Sequence, residues 1–265
     1  MTNFLLQSLK MKNRIIILIF IFFVEESFAQ QAIQKNDSPQ IATSLTVNKQ
    51  TEKQYLQAIQ KDPTNVIVYY NLGLFYSDKN QFDYAEEQFN KAIKLDPNFS
   101  LAYTGLTSLF LASGQMERAV AACDKAIQID SMSSINYLNL GKVHFQNMRF
   151  AEAEYSFLKA IQMDSMNSEI YLNLGTLFMQ IDRKDEAIVQ LKKVLQLNQK
   201  DLGAPYSLAT IYASQNQIDE AYVFLELAIV NGIKFYDLMQ MDATLAPLRE
   251  RSKQWKELMK KYFKK

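Results

Sequence analysis

The 265-residue sequence is poor in the residues that most often build chemical sites and in those that interrupt helices. It has one cysteine, Cys123, and one histidine, His144. These counts exclude an intramolecular disulfide, a cysteine-rich metal site and most histidine-based catalytic sites. The chain has only seven glycines and five prolines, which favours long runs of helix. The formal net charge of +1 gives no reason to expect nucleic-acid binding.

The N-terminal part of the chain differs from the rest. A positively charged start is followed by the apolar run Ile15–Val24, and small residues, Ser27 and Ala29, stand third and first before the predicted cleavage point. This order is typical of a secretory signal peptide, so we predict that residues 1–29 form one and that cleavage follows Ala29. The run is shorter than the roughly 20 residues of a spanning helix; an uncleaved membrane anchor is the alternative. Residues 30–50 are rich in Gln, Ser, Thr and Asn, which predicts a flexible linker.

A 34-residue period occupies most of the remaining chain. Five segments align at this step without insertion, beginning at Val66, Ser100, Ser134, Ser168 and Leu202. Seven positions recur in these copies: the fourth, seventh, eleventh and twenty-fourth are mostly large, whereas the eighth, twentieth and twenty-seventh are mostly small. The most regular is the twentieth, with Ala85, Ala119, Ala153, Ala187 and Ala221. Such self-similarity predicts a stacked repeat architecture.

This pattern of an aromatic residue, Leu-Gly, a second aromatic residue and recurring alanines resembles the tetratricopeptide repeat. The resemblance implies an all-α fold, a right-handed α-solenoid of antiparallel helix pairs that forms a superhelix. It implies five repeats, at 66–99, 100–133, 134–167, 168–201 and 202–235. Residues 51–65 match only the end of a copy, which predicts a capping helix. Residues 236–265 keep helical character without the period, which predicts a C-terminal capping segment.

Each copy contains two turns, one between its helices and one at its end. The fifteenth position, between the two helices, carries Asn80, Gly114 and Asn216 in three copies, and these residue types tolerate a left-handed backbone. Among the five copies, the proline that closes a repeat of this family is present only in the first, as Pro97, and Pro63 takes the same position in the segment before them. In the fifth copy, Pro205 replaces the first aromatic residue, so the start of that helix is the least regular part of the pattern.

The resemblance also implies which surface binds a partner. In this family the first helix of each pair lines an inner, concave surface, to which the second, fifth, sixth, ninth, twelfth and thirteenth residues of a copy contribute. The candidate partner-binding residues are Asn71, Asn139, Asn173, Tyr70, Leu74, Leu138, Lys142, Leu172 and Tyr206.

The three asparagines share the sixth position of their copies. An amide accepts and donates hydrogen bonds at once, so a row of amides could hold the backbone of an extended peptide. Gly105 interrupts the row, and asparagines that are merely solvated are the alternative. The tyrosine and leucine candidates suit apolar anchors of a partner, or else they pack against the adjacent copy. Lys142 is the one basic candidate, which argues against the charged clamp that other family members use for chaperone tails.

No set of residues in the chain suggests catalysis. His144 and Cys123 stand where other copies carry large apolar side chains, so we predict that both are packed. Acidic pairs such as Glu86 and Glu87 come early in second helices, where they favour the helix N-terminus and face water. No phosphate loop or dinucleotide motif is present. We therefore predict a chain that is not an enzyme, with no catalytic residue, no cofactor and no metal.

The charge is uneven at the C-terminus. Residues 249–265 hold eight basic and two acidic residues, with Trp255, Leu258 and Met259 among the apolar ones. A basic amphipathic helix can touch an anionic membrane, but a terminal capping helix that packs this stripe on the repeats is the favoured interpretation.

The function predicted from these features is an exported, non-catalytic scaffold that binds a protein or peptide segment in the concave groove. The closing segment resembles that of many bacterial repeat proteins, which indicates a bacterial periplasm or cell envelope. The alternative is a membrane-associated structural or assembly factor of the envelope that docks through the basic C-terminal helix. Membrane contact is not favoured, no nucleic-acid partner is expected, and neither the partner nor the oligomeric state follows from the sequence.

Overall fold

A computed structural model of the protein describes residues 51–263, apart from the side chains of Leu238 and Ser252. All regular structure in this range is helical, which confirms the predicted all-α class. The described chain forms two compact units, residues 51–173 and residues 174–263. None of the described helices is long and apolar enough to cross a membrane. The predicted signal peptide and linker lie outside the described residues.

The first unit consists of helices arranged in pairs. Its helices are α1 (Glu52–Lys61), α2 (Val66–Asp78), α3 (Phe82–Leu95), α4 (Ser100–Ala112), α5 (Met116–Ile129), α6 (Ser134–Gln146), α7 (Phe150–Met163) and the first six residues of α8 (Ser168–Gln180). The first pair is α2 with α3, the second is α4 with α5 and the third is α6 with α7. The first helices of these pairs also contact each other, α2 with α4 and α4 with α6.

The second unit continues the same arrangement. It contains the rest of α8, α9 (Lys184–Leu197), α10 (Gly203–Ser214), α11 (Ile218–Asn231), α12 (Tyr236–Met241), a 3-10 turn (Ala243–Leu245), α13 (Ala246–Glu250) and α14 (Ser252–Tyr262). Helix α10 begins at Gly203, and Leu202 is its N-cap. Pro205 therefore lies in the first turn of α10, where the N–H that proline lacks has no partner within the helix.

The turn inside each pair has a left-handed residue at the fifteenth position of the copy. The residues with positive φ are Asn80, Gly114, Met148, Asp182 and Asn216. In every copy the next backbone N–H donates to the carbonyl of the eleventh residue, for example Gln81 to Tyr76 at 2.9 Å and Arg149 to His144 at 2.8 Å. This closure is the Schellman type, which satisfies a carbonyl at the helix end. The prediction of left-handed backbone at Asn80, Gly114 and Asn216 is confirmed, and the conformation extends to Met148 and Asp182.

The turn between pairs does not depend on the closing proline. The C-cap residues of α1, α3, α5, α7 and α9 are Asp62, Asp96, Asp130, Asp164 and Asn198. Each accepts a hydrogen bond at Oδ1 from the backbone N–H two residues later. An Asx turn of this kind ends a helix by offering the backbone a local partner. The same Asx turn forms where a proline follows, at Asp62 and Asp96, and where none follows, at Asp130, Asp164 and Asn198.

Small residues let the helices of a pair approach closely. The alanines at the twentieth position are fully buried in all five copies. In α2, a β-carbon on Gly73 would lie 2.6 Å from Cε1 of Phe89, so glycine is required there. The same ring lies against Gly105 of α4, where a β-carbon would be 2.7 Å away. Phe89 therefore packs between the first and second pairs, and this contact explains why a glycine interrupts the row of asparagines.

Residues 236–263 pack on α10 and α11, the last helix pair. The side chains of Leu245, Leu248, Trp255, Leu258 and Met259 are all buried. Tyr222 donates a 2.6 Å hydrogen bond to the Leu248 carbonyl, and Tyr206 donates one of 2.6 Å to Oδ2 of Asp242. The apolar stripe of the basic helix α14 is thus covered by the protein itself.

Candidate functional site

The candidate site is the surface formed by the first helices of the first unit. We call it the first-helix face and define it by the accessible side chains of α2, α4, α6 and residues 168–173 of α8. Helices α2, α4 and α6 contact one another in order, and the Lys142–Glu169 pair joins α6 to residues 168–173. Residues at the same position of successive copies therefore form rows across the face. Eight of the nine candidate residues belong to these helices. Tyr206 belongs to α10, in the second unit.

An aliphatic row runs across the face at the second position of the first three copies. Ile67 is 40% exposed and Ile135 is 44% exposed, and Leu101 between them is half-buried. Exposed branched aliphatic side chains in a row are suited to holding apolar groups of a partner. The next residue of the row is Glu169, which changes the row from apolar to acidic.

The charge of Lys142 is balanced within the face. Its Nζ atom donates to Oε1 of Glu169 at 2.5 Å, and both side chains are partly exposed. The positive charge of Lys142 holds the pKa of the Glu169 carboxyl below its ordinary value. Such a pair on the surface contributes about 0–1 kcal/mol to stability. Its main effect is to leave this part of the face without net charge.

The three asparagines at the sixth position are in different environments. Oδ1 of Asn71 is enclosed and accepts no hydrogen bond from the described residues. Asn139 is only 5% exposed, and its Nδ2 atom donates to Oγ of Ser108 at 3.4 Å. Nδ2 of Asn173 donates to the Glu169 carbonyl of its own helix at 2.8 Å. Asn139 is buried where its amide lies against Ser108 of the neighbouring helix α4.

Two further candidates are buried, which corrects the expectation that they line an open surface. Leu138 is 2% exposed because α6 packs against its neighbours on both sides. Tyr206 is 4% exposed because its hydroxyl group is bonded to Asp242 under the C-terminal segment. With Asn139, these residues are removed from the set of accessible side chains.

The remaining candidates are half-buried. Leu74 and Leu172 keep part of their surface accessible. The Tyr70 ring packs edge-on against Phe99, with ring centroids 5.6 Å apart. Burial raises the pKa of Tyr70 to about 12. A binding role for Asn71, Asn173, Tyr70, Leu74, Lys142 and Leu172 stays a prediction.

Two residues that were not singled out from the sequence join neighbouring copies in this region. Asn136 is a buried link between the second and third pairs, and Glu169 neutralises Lys142. Each is a polar residue at a position of the copy that otherwise carries apolar or small residues. The third position reads Val68, Ala102, Asn136, Ile170 and Ala204, and the second reads Ile67, Leu101, Ile135, Glu169 and Gly203. A polar residue at such a position is the signal that could have found them.

Cys123 and His144, whose side chains could suggest reactivity, are surrounded by packed side chains. Cys123 is 1% exposed, its Sγ atom lies 3.4 Å from the Asn136 carbonyl, and burial raises the pKa of its thiol to about 12. A thiol of this kind is a poor nucleophile at neutral pH. Burial lowers the pKa of His144, whose Nδ1 atom is enclosed. Within residues 51–263 no group of three or more His, Cys, Asp or Glu side chains could hold a metal ion.

Comparison with known families and structures identifies the repeat. Residues 66–99 and residues 168–201 each match a family model described as tetratricopeptide repeat. No curated protein matches the chain by sequence. Among solved structures, pilF of Pseudomonas aeruginosa has a TM-score of 0.66 at 22% identity, covering 77% of this chain and 94% of that chain. A thermophilic TPR protein of Thermus thermophilus has a TM-score of 0.58 at 20% identity, covering 68% and 98%.

A third similar structure is YrrB, described as a TPR protein with an unusual peptide-binding site. Its TM-score is 0.51 at 21% identity, covering 70% of this chain and 95% of that chain. At these identities the similarity shows the fold. Repeats of this family generally act as non-catalytic scaffolds for protein–protein interaction. With two segments that match the family model and the fold that these structures share, the chain is a tetratricopeptide-repeat protein.

Proposed function

We propose that this protein is a non-catalytic scaffold that binds a peptide or protein segment on the first-helix face. The observation that carries the proposal is the aliphatic row of Ile67, Leu101 and Ile135 next to a charge-neutral ion pair. A face of this composition favours apolar contacts with a partner. The similar structure YrrB is described as having a peptide-binding site, which is consistent with this use of the fold.

Site-specific photocrosslinking in native cells tests the proposal. A photoreactive amino acid replaces Ile135 on the first-helix face or, as the matched control, Leu158 on the outer side of α7. The two side chains have the same exposed fraction, 44%. We expect a defined protein adduct from position 135 and none from position 158. Equal adduct patterns from the two positions would show that the face has no preferred partner.

We also propose that the protein is exported, to the periplasm or cell envelope of a bacterium. The proposal is supported by the signal-like order of residues 1–29, a charged start, an apolar run and small residues before the cleavage point. N-terminal sequencing of the protein purified from its native cell is the test. We expect the chain to begin at Gln30, and an N-terminus upstream of the apolar run would contradict cleavage.

A second candidate function uses the basic helix α14 to dock an envelope assembly factor on an anionic membrane. Lys253, Lys256 and Lys260 are exposed on this helix, which favours it. Since Trp255, Leu258 and Met259 are buried, only the charges are accessible for docking. Sedimentation with anionic liposomes tests this candidate. Pelleting that is lost when the three lysines are changed to glutamate would support it, and no pelleting would remove it.

A further inference from the structure

We propose that the segment bound by the first-helix face is a polyproline II stretch with aliphatic side chains at every third residue. A basic residue follows three positions after the third aliphatic one. The proposal rests on the proposed function, because it describes the partner of the same face. It adds the conformation, the spacing and the charge pattern of the ligand.

The conformation of the proposed ligand is inferred from the spacing of the aliphatic row. Ile67, Leu101 and Ile135 each lie second in their helices, and these helices contact one another directly. The axes of helices packed in contact are about 8–10 Å apart, and we expect a similar step between equivalent residues of neighbouring helices. A ligand that places one side chain on each member must present its side chains at the same step.

A polyproline II segment meets this requirement and a β-strand does not. The polyproline II helix rises about 3.1 Å per residue with three residues per turn, so every third side chain points the same way at intervals of about 9 Å. In a β-strand the side chains on one side are about 7 Å apart, and the next multiple is about 13 Å. A bound β-strand would therefore fall out of step with the row after one contact.

The basic residue of the proposed ligand is inferred from Glu169, the acidic residue at the end of the row. Glu169 follows Ile135 at the same position of the next copy, and Nζ of Lys142 is bonded to Oε1 of Glu169. A carboxylate has a second oxygen and several acceptor sites, so Oε2 can accept from a cation of the ligand. The pKa of Glu169 is already below its ordinary value, so the carboxylate is ionised without help from the ligand. A lysine or arginine three residues beyond the third aliphatic residue reaches this carboxylate.

Fluorescence anisotropy with the full chain and synthetic peptides tests the proposal. The first peptide carries leucines at residues i, i+3 and i+6, a lysine at i+9 and proline between the leucines. The second has the same composition with leucines at i, i+2 and i+4. We expect the first peptide to bind at least about tenfold more tightly. Equal affinity of the two peptides, or tighter binding of the second, would overturn the polyproline II assignment.

Variants of the protein separate failure of this proposal from failure of the proposed function. Ile135→Asp should weaken binding of the first peptide by about tenfold or more, whereas Leu158→Asp should leave it unchanged. Glu169→Gln should weaken binding of the lysine peptide but not of a peptide with glutamine at that residue. If neither peptide binds while the native adduct still forms at position 135, the scaffold function stands and the ligand assignment is wrong.

The same adduct distinguishes other occupants of the face. Mass spectrometry of the crosslinked product at position 135 identifies the attached peptide. Attachment to residues 30–50 of the same chain, or to a second copy in a dimer seen by light scattering, would overturn the proposal. Attachment to a partner segment with period-three aliphatic residues would support it.

Discussion

The hydroxyl group of Thr104 donates a 2.7 Å hydrogen bond to Oδ1 of Asn136, across the junction between the second and third helix pairs. Both side chains are buried, and Nδ2 of Asn136 donates to the Asp130 carbonyl at 3.2 Å. Because a buried polar group must be paired, this network favours one register of the two pairs over any shifted packing.

We therefore expect Asn136→Ala to destabilise the protein. The change removes an acceptor and a donor at a buried site, which costs about 1–3 kcal/mol. Urea unfolding followed by circular dichroism measures the difference. The control is Asn90→Ala on the exposed side of α3, which should change the free energy of unfolding by less than about 0.5 kcal/mol. A loss no larger than that of the control would show that the network contributes nothing.

The exposed residue Met148 holds a left-handed backbone, with φ of 58°, in the turn of the third pair. A residue with a β-carbon is strained in this conformation, whereas glycine is not. Met148→Gly should stabilise the protein by about 0.5–1 kcal/mol. Met132 has a similar exposure but is not among the residues with positive φ, so Met132→Gly serves as the control. Stabilisation by both changes, or by neither, would contradict the explanation by strain.

The contact of Gly105 with Phe89 leaves no room for a larger side chain. We expect Gly105→Val to cost about 1–3 kcal/mol through overpacking, although valine has the better helix propensity. In a Phe89→Leu background the cost should be smaller, because the shorter side chain leaves space. A double-mutant cycle in urea measures this coupling. Ala112→Val, at an exposed residue of the same helix, should have little effect. Additive changes at 105 and 89 would show that the ring does not exclude the side chain.

The hydroxyl group of Tyr206 donates to the buried carboxylate of Asp242, with a donor–acceptor distance of 2.6 Å. Tyr206→Phe removes one donor from a carboxylate that is only 7% exposed, and we expect a loss of about 1–3 kcal/mol. Thermal unfolding measures it. The comparison is Tyr155→Phe at a side chain that is 62% exposed, where the stability should hardly change. A thermal midpoint that shifts equally in both variants would rule out a special role for the pair.

The free energy of unfolding should fall at alkaline pH, and the titration of Tyr70 is one cause. Burial raises its pKa to about 12 from 10.0, so the folded state holds the proton more tightly than the unfolded chain. Its contribution to stability is therefore complete below about pH 10 and is lost as the pH rises toward about 12. Urea midpoints measured from about pH 8 to about pH 12 should fall less steeply in Tyr70→Phe than in the natural protein. If the urea midpoints of the two proteins fall in parallel with pH, the pKa of Tyr70 is not raised by folding.

The interior of the helix pairs follows closely from the 34-residue pattern. Large and small residues alternate in fixed positions, and a column of alanines can serve only a close approach of helices. The described helices accordingly begin at Val66, Ser100, Ser134 and Ser168, the same step that the sequence shows. The fifth copy departs by one residue, because Leu202 caps the helix instead of entering it. Turn chemistry was less evident from the sequence, since an aspartate or asparagine closes the turn between pairs whether or not a proline follows.

The face was predicted less well than the fold. Asn139, Leu138 and Tyr206 satisfy the positional rule for an inner surface but are buried. The rule assigns a direction to each side chain along its own helix. Exposure also depends on what the neighbouring helix places opposite, such as Ser108 against Asn139 or Asp242 against Tyr206. Residues more than 30 positions apart decide these contacts.

What the sequence alone determined is the class of protein, its period and the positions where helices must pack closely, because these depend on residue size repeated at a fixed step. Only the tertiary structure decided which polar side chains are open to a partner. The pairing of Lys142 with Glu169 and of Thr104 with Asn136 joins successive copies, and such contacts arise only when the copies stack. The neutral Lys142–Glu169 pair and the exposed aliphatic row are therefore properties of the assembled repeats.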